Sequence, residues 1–321
     1  MKEFEDLYNE ISVNEELNSV WEEALTEKKR NKKIAIAIFL PLILIITIIL
    51  LVSIIKLEGF NFLIIPKMMF VLFPVMFFLG IIIFGISTVF SKKYREYANT
   101  FKGIVIKKLI ENFYNNVEYY PQKQMPERIY DEEKYEYYNR YYSDDYIEAK
   151  INNKYDIGMA EIKTVHETTR RDSNGRTKTS RTTMFHGIFA KIVIDKSINS
   201  ELKIKQNGSF IFGKNKLEMD SSEFEKYFDV SATNKIIGMQ LLTADIMEEL
   251  IDFINKTNIK YDIVIKDSNI YLRFHCGTMF EPQALKKGII DKKQLQKYFY
   301  MLNFTYNLSD KIIKLIHETE I

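Results

Sequence analysis

The sequence predicts an α+β protein, in which a two-helix transmembrane hairpin precedes a cytoplasmic domain of antiparallel β-hairpins with flanking helices. Residues 34–55 and 68–90 are two apolar runs without a formal charge. From residue 146 onward, apolar and polar residues alternate in paired segments that are separated by turn-forming residues, which is typical of antiparallel hairpins. The helical patterns are grouped apart from these strand pairs, as in α+β domains and unlike alternating βαβ units.

Residues 1–33 form an acidic leader before the first apolar run. Residues 1–27 hold nine acidic residues and one lysine. Ser12 and Glu15 have the spacing of a capping box, which predicts one helix, a break at 12–14 and a second helix. The acidic charge disfavours contact with anionic lipid. We therefore expect the apolar stripe of the leader to pack on the domain of this chain or to dock on a partner. The candidate docking residues of this stripe are Leu17, Val20, Trp21 and Ala24.

The two apolar runs have the length of membrane spans. A bilayer core is about 30 Å thick, and a helix of about 20 residues crosses it. Lysine and arginine flank the outer ends of the pair, whereas the loop between the runs offers only Lys56 and Lys67. The positive-inside rule then predicts a multi-pass protein of the cell membrane with both termini in the cytoplasm.

The rest of the chain is predicted as a membrane-proximal helix at 91–120 and an α+β domain at 121–321. The predicted strands are 146–151, 157–168, 182–194, 202–205, 209–213, 261–266 and 270–275, and the predicted helices are 221–227, 244–255 and 292–316. Turns are expected at 172–175, at Asn207-Gly208 and at Ser268-Asn269. Residues 119–146 hold nine tyrosines. These rings are expected to cover one side of the sheet or to line a binding groove.

A basic cluster marks the predicted hairpin tip near residue 172. Its residues are Arg170, Arg171, Arg176, Lys178 and Arg181. They form either a solvated tip or a contact for lipid headgroups or an acidic partner. Nucleic acid is disfavoured as a partner, because the tip has no aromatic residue on which a base can stack.

No motif for catalysis or for a cofactor is found. The sequence has no phosphate loop and no GxGxxG, and His166, His186, His275 and His317 lack metal-ligand spacing. Cys276 is the one cysteine, so no intramolecular disulfide forms. The sequence thus predicts no catalytic residue, no cofactor and no metal.

Five segments in order resemble a known family. They are YIEAKINNKYDIGMAEIK from Tyr146, FHGIF from Phe185, FEKYFDVSATNK from Phe224, LLTADIMEELIDF from Leu241 and NIYLRFHCGTMFEP from Asn269. Together with the apolar pair, they are similar to the bacterial domain-of-unknown-function family 3137 of two-span membrane proteins. The resemblance implies no established activity and no site residues. It implies a possible partner, a LemA-type membrane protein.

Two hypotheses for function remain open. The first is a membrane-tethered, non-enzymatic module that binds a protein partner or senses a ligand, because a well-patterned domain lacks catalytic motifs. The alternative is a membrane-bound enzyme, such as a hydrolase at the inner leaflet. A deep pocket that groups His186 or His275 with acidic residues would favour the enzyme.

Overall fold

The computed structural model describes residues 1–58, 77, 80–81, 92–171, 175–207 and 215–318. The chain forms two compact units. One unit comprises Met1–Ser12, Lys102–Pro282 and Ile290–Ile321, and the other comprises Val13–Phe101 and Gln283–Ile289. We call them the sheet unit and the helical unit and describe each by itself.

The helical unit is built on a long helix, α2. Its elements are α2 (Glu15–Glu58), α3 (Lys92–Phe101) and a 3-10 helix (Leu285–Lys287). The side chain of Asn14 caps α2, because its Oδ1 accepts the N–H of Leu17 at 2.9 Å. Helix α3 lies against the first half of α2, where the Nζ of Lys93 is 2.6 Å from a carboxylate oxygen of Glu23.

The predicted transmembrane hairpin is corrected by the structure. The first run, residues 34–55, lies within α2, and nearly all of the second run, residues 68–90, lies outside the described residues. Over the described ranges, no helix is both long and apolar enough to cross a membrane. The sequence treated the uncharged run as a separate element, whereas α2 joins it to the charged leader in one helix. The hairpin is therefore not supported.

The sheet unit holds an antiparallel sheet of seven strands, so the α+β class is confirmed. Its strands are β1 (Asn115–Tyr120), β2 (Arg140–Ile151), β3 (Tyr155–Arg171), β4 (Thr177–Gln206), β5 (Lys216–Leu217), β6 (Phe228–Ala232) and β7 (Lys260–His275). The order is β1-β2-β3-β4-β6-β5, and β7 also pairs with β4. Strand β4 is thus the centre of the sheet.

The two longest helices of the sheet unit cover one face of this sheet. The helices of the sheet unit are α1 (Phe4–Ser12), a π-helix (Lys102–Ile106), α4 (Lys107–Glu111), α5 (Glu127–Asp131), α6 (Ser222–Glu225), α7 (Lys235–Leu241), α8 (Ala244–Thr257) and α9 (Lys292–Glu318). Phe253 of α8 and Phe304 of α9 stack at 4.2 Å between ring centroids, and both contact Tyr261 of β7. Such aromatic packing buries a large apolar area.

The tyrosine-rich segment covers the other face. Tyr130 is buried and packs on Phe185 and Phe189 of β4, with ring centroids 6.0 and 5.1 Å away. Tyr120, Tyr135, Tyr138 and Tyr141 pack around this core as half-buried rings. These five tyrosines therefore cover the sheet, which is one of the two roles predicted from the sequence, whereas Tyr137 and Tyr142 are exposed.

The expected hairpin at 261–275 is a single strand. Both halves of β7 pair with β4, and the register shifts near Asp267, which has a φ of 51°. The extra residues at this shift lie in β4, between Val193 and Glu201, so β7 continues along β4 without a reversal of the chain. For the hairpin predicted at Asn207-Gly208, the predicted second strand, 209–213, lies outside the described residues.

Candidate functional site

A bulge in β2 brings acidic residues together in the sheet unit. The pairing of β2 with β3 shifts between Asp144 and Ile147, and Asp145 has a φ of 52°. Successive side chains of a regular strand point to opposite faces, so the bulge redirects one of the two aspartates. As a result, Asp144, Asp145 and Glu161 each place a carboxylate oxygen within 4.8 Å of the others.

A buried lysine completes this group. Lys102 begins the π-helix, and its Nζ lies 2.8 Å from Asp145 Oδ2 and 2.5 Å from Glu281 Oε1. Burial alone would lower the pKa of Lys102, but the carboxylates of Asp145 and Glu281 outweigh burial and raise it. Short π-helical turns often occur at functional sites. We call the set the polar cluster, and its residues are Lys102, Tyr119, Asp144, Asp145, Glu161, His186 and Glu281.

Burial raises the pKa values of two acids of the polar cluster toward neutral pH. Asp145 is fully buried, and burial raises its pKa to about 6, although Lys102 and the Tyr119 hydroxyl, which donates to Oδ1, act in the opposite direction. Burial also raises the pKa of Glu161 to about 7, against the hydrogen bond that the Met279 N–H donates to Oε2 at 2.9 Å. Such shifts are frequent at functional sites.

His186 reaches the polar cluster from β4. Its Nε2 is 3.8 Å from Glu161 Oε1, too far for a hydrogen bond, and 3.3 Å from Thr278 Oγ1. Burial and then Lys163 lower the pKa of His186. Gly187 follows it, and a Cβ on this glycine would lie 1.8 Å from the carbonyl oxygen of Phe274. Glycine thus permits the close approach of β4 and β7.

Over the described residues, Asp144, Asp145 and Glu161 are the set whose spacing resembles that of metal ligands. However, Lys102 already gives Asp145 a cation at 2.8 Å, and Glu161 retains a proton up to about pH 7. The ion pair with Lys102 thus already balances part of the charge of this group, and we assign no metal to it.

The other histidine and cysteine candidates lie apart from the polar cluster or lack reactivity. His275 Nε2 is 2.9 Å from Asp262 Oδ2. The Cys276 thiol bonds the Phe274 carbonyl oxygen at 3.4 Å, and burial raises its pKa to about 12. A thiol that holds its proton this strongly is a poor nucleophile at neutral pH.

The basic residues predicted at the hairpin tip lie at the exposed end of β3 and β4. We call residues 167–171 and 177–181 the arm. Arg170 pairs directly with Lys178, and Arg171 pairs with Thr177. All five predicted basic residues, Arg170, Arg171, Arg176, Lys178 and Arg181, are exposed, and residues 172–174 lie outside the described part of the chain.

Arg181 belongs to an ion-paired group at the base of the arm. Its Nε donates to Glu167 Oε2 at 2.6 Å, and Arg140 from β2 reaches Oε1 at 3.2 Å. The hydrogen bond from Arg181, followed by that from Arg140, lowers the pKa of Glu167. Sequence reasoning missed Arg140, because the pairing of β2 with β3 had to be known to place it here.

The candidate docking stripe of the leader lies in the helical unit. Leu17 and Ala24 are fully buried, whereas Val20 and Trp21 are partly exposed. Helix α2 packs against α3 within the helical unit. Val20 and Trp21 are therefore the residues of the stripe that keep exposed surface.

The sheet, its flanking helices and the polar cluster define an α+β domain of the antiparallel type. Residues 183–314 match a family model described as "Protein of unknown function (DUF3137)". Over residues 183–314, this match confirms the family resemblance predicted from the sequence. The match does not confirm the two-span membrane feature.

Two further comparisons carry no functional argument. No protein with a curated description matches the chain. Among solved structures, the mycobacterial trehalose monomycolate transport factor A, TtfA, matches with a TM-score of 0.37 and 7% identity, over 65% of this chain and 94% of that one. A similarity at this level does not carry function from one protein to the other.

Proposed function

We propose that the sheet unit is a non-enzymatic binding module that holds an acidic protein partner with the arm. The observation that carries this proposal is the direct pairing of Arg170 with Lys178. Like charges that face each other across two strands destabilise the pair. An anionic group bound beside the two cations would offset this cost, so the pair favours a role in binding.

The charge of the arm is concentrated at its outer end. Glu167 neutralises part of the charge at the base, where it bonds Arg181 and Arg140. Arg170, Arg171 and Lys178 are exposed beyond this group. Charged residues also protect exposed strands from aggregation, but that role does not require two cations to be directly opposite.

The distribution of charge favours a concave partner over a flat surface. Arg170 and Lys178 share one face of the arm, and Arg171 lies on the other, since successive residues alternate. A planar lipid surface would engage one face only, whereas an acidic groove of a protein engages both. The LemA-type partner remains a prediction that rests on the family resemblance.

The test uses the full chain and a fluorescein-labelled poly-glutamate peptide as the probe. The variant Arg170→Glu/Lys178→Glu is compared with Lys235→Glu/Lys293→Glu, which makes the same charge change at exposed positions outside the arm. We expect the arm variant to lose at least about tenfold in affinity, or about 1.4 kcal/mol, and the control less than about twofold.

Vesicles that contain phosphatidylserine and a duplex DNA serve as alternative probes. Equal losses in the two variants would reject the arm as the binding surface. Binding to vesicles or DNA without binding to the peptide would reject an acidic protein as the partner. Weakening of the peptide complex by salt is expected for either set of charges and does not decide between them.

An enzyme is the second candidate, favoured by the proximity of Glu161 to His186. A carboxyl group with a pKa of about 7 beside a partly exposed imidazole is an arrangement suited to general acid–base chemistry. The test replaces His186, His275 and Cys276 together by Ala, Ala and Ser. Loss of the protein's cellular phenotype with an unchanged melting temperature would favour the enzyme, and a retained phenotype would favour the binding module.

A further inference from the structure

Residues 276–282, which follow β7, are held on the sheet by contacts to the polar cluster. We call them the latch. The Met279 N–H donates to Glu161 Oε2 at 2.9 Å, and the Gly277 N–H donates to the His186 carbonyl oxygen at 3.1 Å. Glu281 bonds Lys102 at 2.5 Å. Each of these contacts joins the latch to a different element of the sheet unit.

The latch covers apolar side chains. Phe280 is fully buried and packs edge-on against Tyr298 of α9, with 5.9 Å between ring centroids, and Met279 is 5% exposed. If the latch opened, both side chains would meet water, which disfavours opening. The contacts of the latch with the polar cluster therefore control access to an apolar surface.

Within the described part of the chain, Glu161 is a carboxylate contact of the latch whose one potential cationic neighbour is the His186 ring, with Nε2 at 3.8 Å. Asp144 and Asp145 from β2 add negative charge beside it, and Lys102 is already shared by Asp145 and Glu281. The other titratable groups that face Glu161 are His186, the Cys276 thiol and the Tyr298 hydroxyl. Burial and Lys163 lower the pKa of His186 and so disfavour its charged form, whereas Asp144 acts in the opposite direction.

We infer that the latch is closed while Glu161 holds a proton and loosens when Glu161 ionises. The Met279 N–H and the Thr278 hydroxyl bind an ionised carboxylate more strongly than a neutral carboxyl, but burial beside Asp144 and Asp145 outweighs these two bonds and favours the neutral form. An ionised carboxylate in the same place is buried beside two further acids without a cation, so water entry becomes favourable.

The direction of the pH effect follows from the raised pKa. Glu161 has a pKa of about 7 in the folded protein, above the ordinary value of 4.5. A raised pKa means that the folded state binds the proton more tightly than the unfolded state. The stabilisation by Glu161 is therefore complete below about pH 4.5 and is lost as the pH rises through about 7.

Hydrogen exchange of residues 276–282 in the full chain tests the inference, with rates corrected for the intrinsic effect of pH. Between pH 6 and pH 8, we expect protection of the Met279 amide to fall about tenfold in the wild type. Glu161→Gln mimics the protonated state, so its protection should stay high at both pH values. Glu218→Gln, at an exposed glutamate, is the matched control and should behave as the wild type.

Two outcomes would overturn the inference: no change in wild-type protection between pH 6 and 8, or the wild-type pH dependence in Glu161→Gln. If Glu161→Gln does not fold, Asp144→Asn decides. Removal of the Asp144 charge should move the midpoint of the protection change to lower pH, and an unchanged midpoint would count against the latch. The arm takes no part in these contacts, so the result is independent of the proposed binding function.

Discussion

Lys102 and Asp145 form an ion pair of 2.8 Å between side chains that are 8% and 0% exposed. Removal of the lysine leaves a buried carboxylate without a cation. We expect Lys102→Met to lower the free energy of unfolding by about 3–5 kcal/mol in urea titrations followed by circular dichroism.

Two controls accompany this variant. Lys107→Met removes an exposed lysine one turn along, and it should change the free energy of unfolding by less than about 0.5 kcal/mol. Lys102→Met/Asp145→Asn removes both charges and should recover part of the loss. No recovery in the double variant would show that the pair is not the cause.

Gly187→Ala should be strongly destabilising, because the new Cβ would lie 1.8 Å from the Phe274 carbonyl oxygen, a backbone atom. We expect a loss of at least about 3 kcal/mol in the free energy of unfolding. Gly158→Ala is the matched control on β3, where the nearest atom would be 3.7 Å away, and it should cost less than about 1 kcal/mol. Similar losses in the two variants would contradict a steric cause.

The leader's stripe should contribute to stability. Leu17 is fully buried, and Leu17→Ala should lower the free energy of unfolding by about 2–5 kcal/mol. Val13→Ala, at a residue 72% exposed, should be nearly neutral.

Trp21 is the single tryptophan and reports on the same helix. Its emission should be blue-shifted in the purified protein and red-shifted in a peptide of residues 1–33. Red-shifted emission in the protein would mean that the stripe is not packed.

Asn153→Gly should stabilise the turn between β2 and β3. Asn152 and Asn153 have φ values of 53° and 57°, and the Lys154 N–H donates to the Ile151 carbonyl oxygen at 3.0 Å, which defines a type I′ turn. Glycine at its second central position should add about 0.5–1 kcal/mol to the free energy of unfolding.

Asn152→Gly is the control for this turn. The Asn152 side chain donates to Asp310 at 2.6 Å and accepts from the Tyr306 hydroxyl at 2.7 Å. Asn152→Gly removes both bonds and should therefore lower the free energy of unfolding. Stabilisation by both substitutions would mean that the backbone conformation of the turn alone determines the change in the free energy of unfolding.

Cys276 should react slowly with iodoacetamide. Burial raises the pKa of its thiol to about 12. At pH 8 we therefore expect labelling about a thousandfold slower than that of an unhindered thiol, measured by mass spectrometry. The same protein in urea is the control and should react at the rate of a free thiol. Fast labelling of the folded protein would restore Cys276 as a candidate nucleophile.

Local patterns of the sequence predicted the elements whose signal is local. The alternation at 157–168 and 182–194 corresponds to β3 and β4, and the helical spacing at 244–255 corresponds to α8. Residues 140–145 lack alternation, so the first half of β2 was missed. At the start of α2, the sequence predicted a capping box from Ser12, but Asn14 is the cap, because both residue types suit that position.

The polar cluster had no local signal as a set. Lys102, Asp145 and Glu161 lie far apart in the sequence, and a π-helix and a β-bulge bring them together. One signal was available, since Glu161 is an acid between the apolar residues Ala160 and Ile162 on a strong strand. A buried charge in such a place requires a partner elsewhere, but the sequence alone does not identify that partner.

The length of β4 has a consequence for the way the chain reaches its native state. Strand β4 pairs with β3, which precedes it directly, and with β7, where Ile188 meets Phe274. The first pairing closes a short loop, whereas the second must wait until the intervening helices have been synthesised, and long-range pairing slows folding. One side of β4 therefore remains without its partner strand during synthesis on the ribosome. The growing chain is most exposed to aggregation in that interval, and a chaperone that shields β4 would raise the yield of native protein.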